Sequence, residues 1–206
     1  MLRKILLGCG IVSSVLYVAT DVIASRRYPG YSFISQSTSE LSAIGAPTRP
    51  FVLPLELASN MLLVAFGVGV WGVVGPKLTL RWMAGLLIGS AVMGLVATAF
   101  FPMHRSEAVS KRPNTMGVII GALMVICFVL AMGFGAAGFR NWFRYYSIGT
   151  LGTFVVLSIL GLLRPLPLPA GYRGSLVGLQ ERTMFYGYLL WVTVLAIGLL
   201  RAQKSE

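Results

Sequence analysis

Only six acidic residues and one histidine occur in this 206-residue chain, so the groups able to do acid–base chemistry are few. Asp21 and Glu56 each lie inside a long apolar run, and Asn60 follows Glu56 at i+4, which on a helix puts both on one face. An ionisable residue in such a run is expensive and normally faces the interior beside a partner. Between the two runs, Ser32, Ser35, Ser37, Thr38, Ser39, Glu40 and Ser42 alternate with Phe33, Ile34, Leu41 and Ile44. Further on come His104-Arg105, Lys111-Arg112, Arg164, Arg173 and the pair Glu181-Arg182. All of these collect in the odd-numbered connections between apolar runs.

Two kinds of chemistry can be drawn on these residue types. A Ser–His–Asp arrangement would take Ser35, Ser37, Ser39 or Ser42 with His104 and Asp21, although no Gly-x-Ser-x-Gly elbow accompanies it. Arg105 and Arg182 carry the planar fork that holds a phosphate. A lone histidine with no cysteine nearby does not make a zinc site of ordinary composition, and there is no glycine-rich phosphate loop or histidine pair for haem. No metal and no cofactor is expected. Cys9 and Cys127 fall inside apolar runs and read as small buried residues, without redox chemistry.

A purely structural reading stands beside the chemical one. Asp21 and Glu56 would pair with Arg105, Arg164 or Arg182 and fix one end of a bundle. Glu181 and Arg182 would cap and anchor the last helix, where an acid suits the helix dipole. His104, after Phe101-Pro102 at the end of a run, would be an interfacial side chain. The residue types alone leave both readings open.

The elements that must position these residues are read from composition. Hydrophobic residues make up 56% of the chain and charged residues 11%, far from the balance of a soluble domain. A soluble enzyme, a disulfide scaffold and a disordered tail are excluded. Six apolar runs are long enough to cross a bilayer: 5–24, 51–75, 82–101, 115–138, 146–163 and 183–200. None alternates like a barrel strand, so the fold class is an all-α membrane protein, a bundle of six transmembrane helices forming a single domain over 1–206. The first run resembles a signal peptide, with Arg3 and Lys4 ahead of it, but its length and Asp21 read as an uncleaved span.

Six spans put both termini on one side. The short segments there hold Arg3, Lys4, Lys77, Arg81, Arg140, Arg144, Arg201 and Lys204 against one acid, Glu206. That density favours a cytoplasmic side for both termini, and Trp71, Trp82 and Trp142 would form its aromatic belt. The net charge of +11 is therefore an orientation signal; scattered basic pairs without a continuous patch do not bind nucleic acid. Gly85/Gly89, Gly117/Gly121 and Gly149/Gly152 have close-packing spacing, which suits contacts inside the bundle or, as the alternative, a homodimer. Residues 26–47 read as a partly buried interfacial segment, with a short helix around 37–43 supported by the cap-like spacing of Ser37 and Glu40.

Several of these residues also form a pattern. Pro29-Gly30-Tyr31-Ser32, then Ser35-Gln36-x-x-Ser39-Glu40-Leu41-Ser42-Ala43 and Gly45-Ala46-Pro47, resemble the signature of the domain of unknown function 998 family. Asn60, Phe101-Pro102 and Gly178-Leu179-x-Glu181-Arg182 follow in the same order, so the resemblance covers essentially the whole chain. It implies a six-span bacterial or archaeal membrane protein and no particular reaction. Where members often carry His-x-x-x-His at the start of the fourth span, this chain has Gly117 and Gly121. The resemblance thus implies that metal or acid–base chemistry run by such a pair is lost or replaced here, and His104, the one candidate substitute, cannot replace a two-histidine edge.

The leading expectation is a non-catalytic integral protein of the inner (cytoplasmic) membrane. It would bind membrane lipids or serve as an accessory subunit of a larger membrane complex, with its polar cluster on the non-cytoplasmic face. The alternative is a membrane-embedded hydrolase or transferase acting on a lipid head group, with Glu40, Asp21 and Glu56 beside Arg105 and Arg182. A transporter ranks third, because the middle halves of spans 3 to 6 carry no ionisable residue.

Overall fold

A computed structural model describes residues 1–103, 115–140, 142–162 and 176–203. Six long helices account for most of them: α1 (Leu2–Arg27), α2 (Arg49–Val73), α3 (Leu78–Phe100), α4 (Thr115–Gly138), α5 (Trp142–Leu162) and α6 (Val177–Ala202). Each is long and apolar enough to cross a membrane. No strand occurs among the described residues, as the absence of any period-two pattern requires. A single 3-10 turn, Thr38–Leu41, forms inside the 37–43 window expected for a short helix.

Helices adjacent in sequence pack against one another, and α6 returns to α1, so the bundle closes as a ring in chain order. α6 supplies its centre. Tyr188 stacks on Phe128 of α4 with ring centroids 3.7 Å apart, and its hydroxyl meets Ser90 of α3 at 3.3 Å. Trp191, fully buried, donates its indole N–H to Ser147 of α5 at 2.8 Å. Ser14 of α1 donates to the Leu189 carbonyl at 3.0 Å. Each polar tip of these large side chains has a partner, which matters where no water can supply one. Outward-facing positions such as Ile119, Ile126, Val156 and Ile159 stay exposed, the lipid-facing side of an apolar bundle.

The first and last helices overrun the apolar runs that predict them. The first gains Leu2–Lys4 and Ser25–Arg27, and the last starts at Val177, six residues before the expected 183. Glu181 and Arg182 therefore lie in the second turn of α6 rather than at its cap. The glycines in close contact also differ from the expected pairs. A Cβ at Gly10 would lie 2.7 Å from the Phe66 ring, at Gly69 2.8 Å from Leu6, and at Gly135 2.9 Å from Trp191. Gly89, Gly121, Gly149 and Gly152 face open space, and Gly85 meets only Trp71 at 3.6 Å. Close approach here is set by the bulk of the opposing side chain, which glycine spacing does not encode.

Met1–Lys4 and Gln203 border one shallow concavity, so both chain ends leave the same end of the ring. Trp71, Trp82 and Trp142 are all exposed there, where the belt was expected. Residues 28–48 close the opposite end.

Candidate functional site

The segment from Tyr28 to Thr48 has no long element of its own, yet Thr38, Leu41, Ala43, Ala46 and Thr48 are buried. Its backbone groups need partners, and one side chain supplies many of them. Arg182 of α6, 1% exposed, sends Nε to Asp21 Oδ2 at 2.8 Å and Nη2 to Asp21 Oδ1 at 2.9 Å. Nη1 donates to the carbonyls of Phe33 at 2.6 Å and Gln36 at 3.0 Å, and Nη2 also reaches the Tyr31 hydroxyl at 2.7 Å. The guanidinium lies over the Phe33 ring, 3.9 Å from its centroid. All five N–H donors of the arginine are occupied.

The carboxylate side is equally committed. Asp21 Oδ2 accepts from both Arg182 and the Tyr186 hydroxyl. This is the only ion pair among the described residues. Burial pushes the Tyr31 hydroxyl well above its ordinary value, against the pull of Arg182, so it stays protonated and donates to the Ser37 carbonyl at 2.7 Å. Gly178 completes the clamp: a Cβ there would strike the Gln36 and Phe33 carbonyls, the same two that Arg182 holds.

A second layer fixes the 3-10 turn. Ser37 and Glu40 form a reciprocal capping box, with Glu40 Oε1 accepting from Ser37 N at 3.2 Å. Glu40 Oε2 accepts from Gln36 Nε2 at 2.7 Å. Glu181 of α6 then accepts from the Thr38 hydroxyl at 2.8 Å and its N–H at 3.2 Å. Ser35 N bonds to Ser32 Oγ at 3.3 Å within the same segment.

Beneath this cap lies a partly open cavity of about 720 Å³ lined by residues of all six helices. Its polar lining comes from the capping segment and nearby helix ends: Thr38, Ser39 and Ser42, Glu56 and Asn60 of α2, and Gln180 and Glu181 of α6. The apolar lining runs along α4 from Val118 to Phe128 and ends on Phe128, Phe154 and Phe185. At 1.5 Å per residue, Phe128 lies about 20 Å down α4 from Thr115. Ser42 and Glu56 both line the cavity, and Asn60 Nδ2 donates to the Glu56 carbonyl at 3.0 Å. A Cβ at Gly94 would collide with the Asn60 amide, so that glycine leaves room for it.

The expected polar cluster thus separates into parts with different duties. Asp21 and Arg182 form a buried clamp, the structural pairing anticipated for Asp21. Neither is placed for the chemistry drawn on it: Asp21 is sealed against Arg182 and Tyr186, and Arg182 has no donor left for a phosphate. Glu40 and Ser35 organise the capping segment. Ser39, Ser42, Glu56, Asn60 and Glu181 line the cavity. Glu56 makes no ion pair among the described residues, although its sequence setting matches that of Asp21. His104 and Arg105, with Lys111, Arg112, Arg164 and Arg173, lie outside the described residues. Among the described residues no group of three His, Cys, Asp or Glu side chains could hold a metal ion. Sequence reasoning missed Tyr31, Tyr186 and Thr38, which complete the clamp and the cap. Their ordinary residue types gave no signal apart from Tyr31's place in the Pro-Gly-Tyr-Ser pattern.

The family model described as "Protein of unknown function (DUF998)" matches residues 11–198. The chain belongs to this family. No curated protein and no solved structure matches it. The residues by which the chain resembles the DUF998 family are gathered at one end of the ring. Ser39, Ser42, Asn60, Phe101, Pro102 and Glu181 line the cavity, while Tyr31, Gln36, Gly178 and Arg182 build the clamp above it. Gly117 and Gly121, standing where the DUF998 resemblance sets a histidine pair, line the cavity too.

Proposed function

We propose that this multi-pass membrane protein is a non-catalytic binder of a membrane amphiphile, held in the cavity under residues 28–48. The observation that carries the reading is the separation of the cavity lining. Hydroxyls, an amide and carboxylates lie at the capped end, and a hydrocarbon passage leads to Phe128 and Phe154. That is the polarity profile of a lipid, and a concave, mostly apolar site with a few convergent polar groups is the usual form of a small-ligand site. The density of Lys and Arg at the terminal end supports an inner-membrane protein with both termini in the cytoplasm, so that the cavity opens toward the outer leaflet.

Native mass spectrometry of the chain extracted with its own membrane lipids tests this. One defined lipid retained per chain is the expected result. A chain that emerges bare, or holding only a bulk mixture of lipids, contradicts the proposal. A stoichiometric partner chain without lipid would favour an accessory-subunit role instead.

The enzymatic reading keeps one supporting observation, a serine hydroxyl (Ser42) and a carboxylate (Glu56) in the lining of one cavity. A serine there would attack the phosphorus of a head-group phosphodiester, with Glu56 taking the hydroxyl proton and returning it to the departing head-group alcohol, and water would then release the phosphorylated lipid from the serine. Conversion of the retained lipid on incubation, lost in Ser42→Ala, would establish that reading over the first.

A further inference from the structure

Three carboxylates enter the end of the ring under the cap, and they are neutralised very differently. Asp21 has the Arg182 guanidinium at 2.8 Å. Among the described residues, Glu181 accepts from the neutral donors of Thr38, and Glu56 has no ion-pair partner. Among the described residues, no Lys or Arg forms an ion pair with Glu56 or Glu181, and none lines the cavity. Arg49 gives its Nη1 to the Ser42 carbonyl. Glu56 and Glu181 line the same cavity.

Two acids facing one cavity of low dielectric repel, and among the described residues each lacks the cationic partner that a membrane-embedded carboxylate ordinarily has. An ionised carboxylate accepts about four hydrogen bonds, so Glu181 keeps acceptor sites beyond its two bonds to Thr38. A group placed here with positive charge and several donors would relieve both deficits. A phosphate would add a third negative charge and find no described cation.

We propose that the cavity selects an amphiphile whose polar end carries an ammonium group, seated between Glu56 and Glu181 with its hydrocarbon chain directed toward Phe128. The proposal rests on the amphiphile-binding reading and adds the class of head group to it. The three N–H donors of an ammonium suit two carboxylates and the Asn60 amide oxygen. The aromatic floor takes the chain.

The test uses the full chain in phosphatidylcholine nanodiscs, with empty nanodiscs subtracted. Four probes are compared: hexadecylamine, hexadecanol, hexadecyl phosphate and chain-free ethanolamine. Hexadecylamine is expected to bind saturably, one per chain, and about ten-fold or more tighter than the other hexadecyl probes, the worth of one charge-assisted hydrogen bond. Ethanolamine is expected not to displace it. In the double variant Glu56→Gln with Glu181→Gln, the amine and the alcohol are expected to bind alike, and saturable alcohol binding reports that the variant is folded. Equal binding of amine and alcohol by the unaltered chain, or preference for the phosphate, would overturn the head-group assignment and leave amphiphile binding standing. Retention of the amine preference in the double variant would also overturn it. Displacement by ethanolamine would make the ligand a soluble amine and overturn the chain assignment. Saturable binding of no hexadecyl probe would overturn both proposals.

Discussion

Arg182 and Asp21, 161 residues apart, meet through two parallel hydrogen bonds of 2.8 and 2.9 Å in a setting where neither is more than 5% exposed. The pair joins the last helix to the first and so closes the ring of six. Through Phe33, Gln36 and Tyr31 the same guanidinium holds down the segment that roofs the cavity. Seam and roof therefore depend on one side chain.

Removing either partner should unfold that end of the molecule. Arg182→Ala or Asp21→Ala leaves a buried charge without its counter-charge, which costs about 3–5 kcal/mol. Arg182→Lys should not rescue, because an ammonium has three donors against five and no planar fork. The double variant Asp21→Leu with Arg182→Met should regain only part of the loss, since the Phe33 and Gln36 carbonyls still lack a donor. Thermal midpoints of the detergent-solubilised variants check all three statements.

Glu40 is expected to matter for stability and not for binding. It closes the capping box with Ser37 and accepts from Gln36, but it does not line the cavity. Glu40→Ala should cost about 1 kcal/mol, the usual worth of a helix cap, and should leave lipid retention at its normal stoichiometry. Loss of retention in a folded Glu40→Ala protein would place that carboxylate in the binding site instead.

Two glycines should respond in opposite ways to the same methyl group. Gly178→Ala drives a Cβ into the Gln36 and Phe33 carbonyls and toward Arg182, an overpacking worth about 1–3 kcal/mol. Gly149→Ala meets nothing within 4 Å, so its thermal midpoint should stay level or rise slightly.

The seam between α1 and α2 supplies a gentler case. Ser59 Oγ donates to the Ser13 carbonyl at 3.1 Å, and the two hydroxyls lie 3.1 Å apart, with both residues buried inside the bundle. Ser59→Ala should destabilise by about 0.6 kcal/mol, the typical value for a hydrogen bond between membrane helices. A melting series in one detergent can resolve it.

Much of this architecture is legible in the sequence because hydrocarbon thickness and helix rise dictate the length of each apolar run. The helix ends are less so. Hydropathy reads Val177–Arg182 as a connection, yet it continues α6 because Glu181 and Arg182 find their partners in the capping segment. The capping box announces itself through Ser37 and Glu40, a local pattern that tertiary structure leaves intact. Pairing is where local pattern stops. Asp21 and Glu56 occupy similar settings, and only the folded ring shows that Arg182 serves one and leaves the other facing a cavity. Glycine spacing failed for the same reason, since Gly10 and Gly135 matter through Phe66 and Trp191 on other helices.

The central claim is that an amphiphile occupies the interior of the ring, and photo-crosslinking tests it most directly. A hexadecylamine carrying a diazirine near the end of its chain would be incorporated into nanodiscs, irradiated, and its adducts located by peptide mass spectrometry. The account predicts adducts on cavity-lining residues such as Val125, Phe128 and Met184, and their loss in Gly121→Phe, which fills open space in the cavity wall. Adducts confined to outward positions such as Ile119, Ile126 and Val155, unchanged by Gly121→Phe, would contradict it.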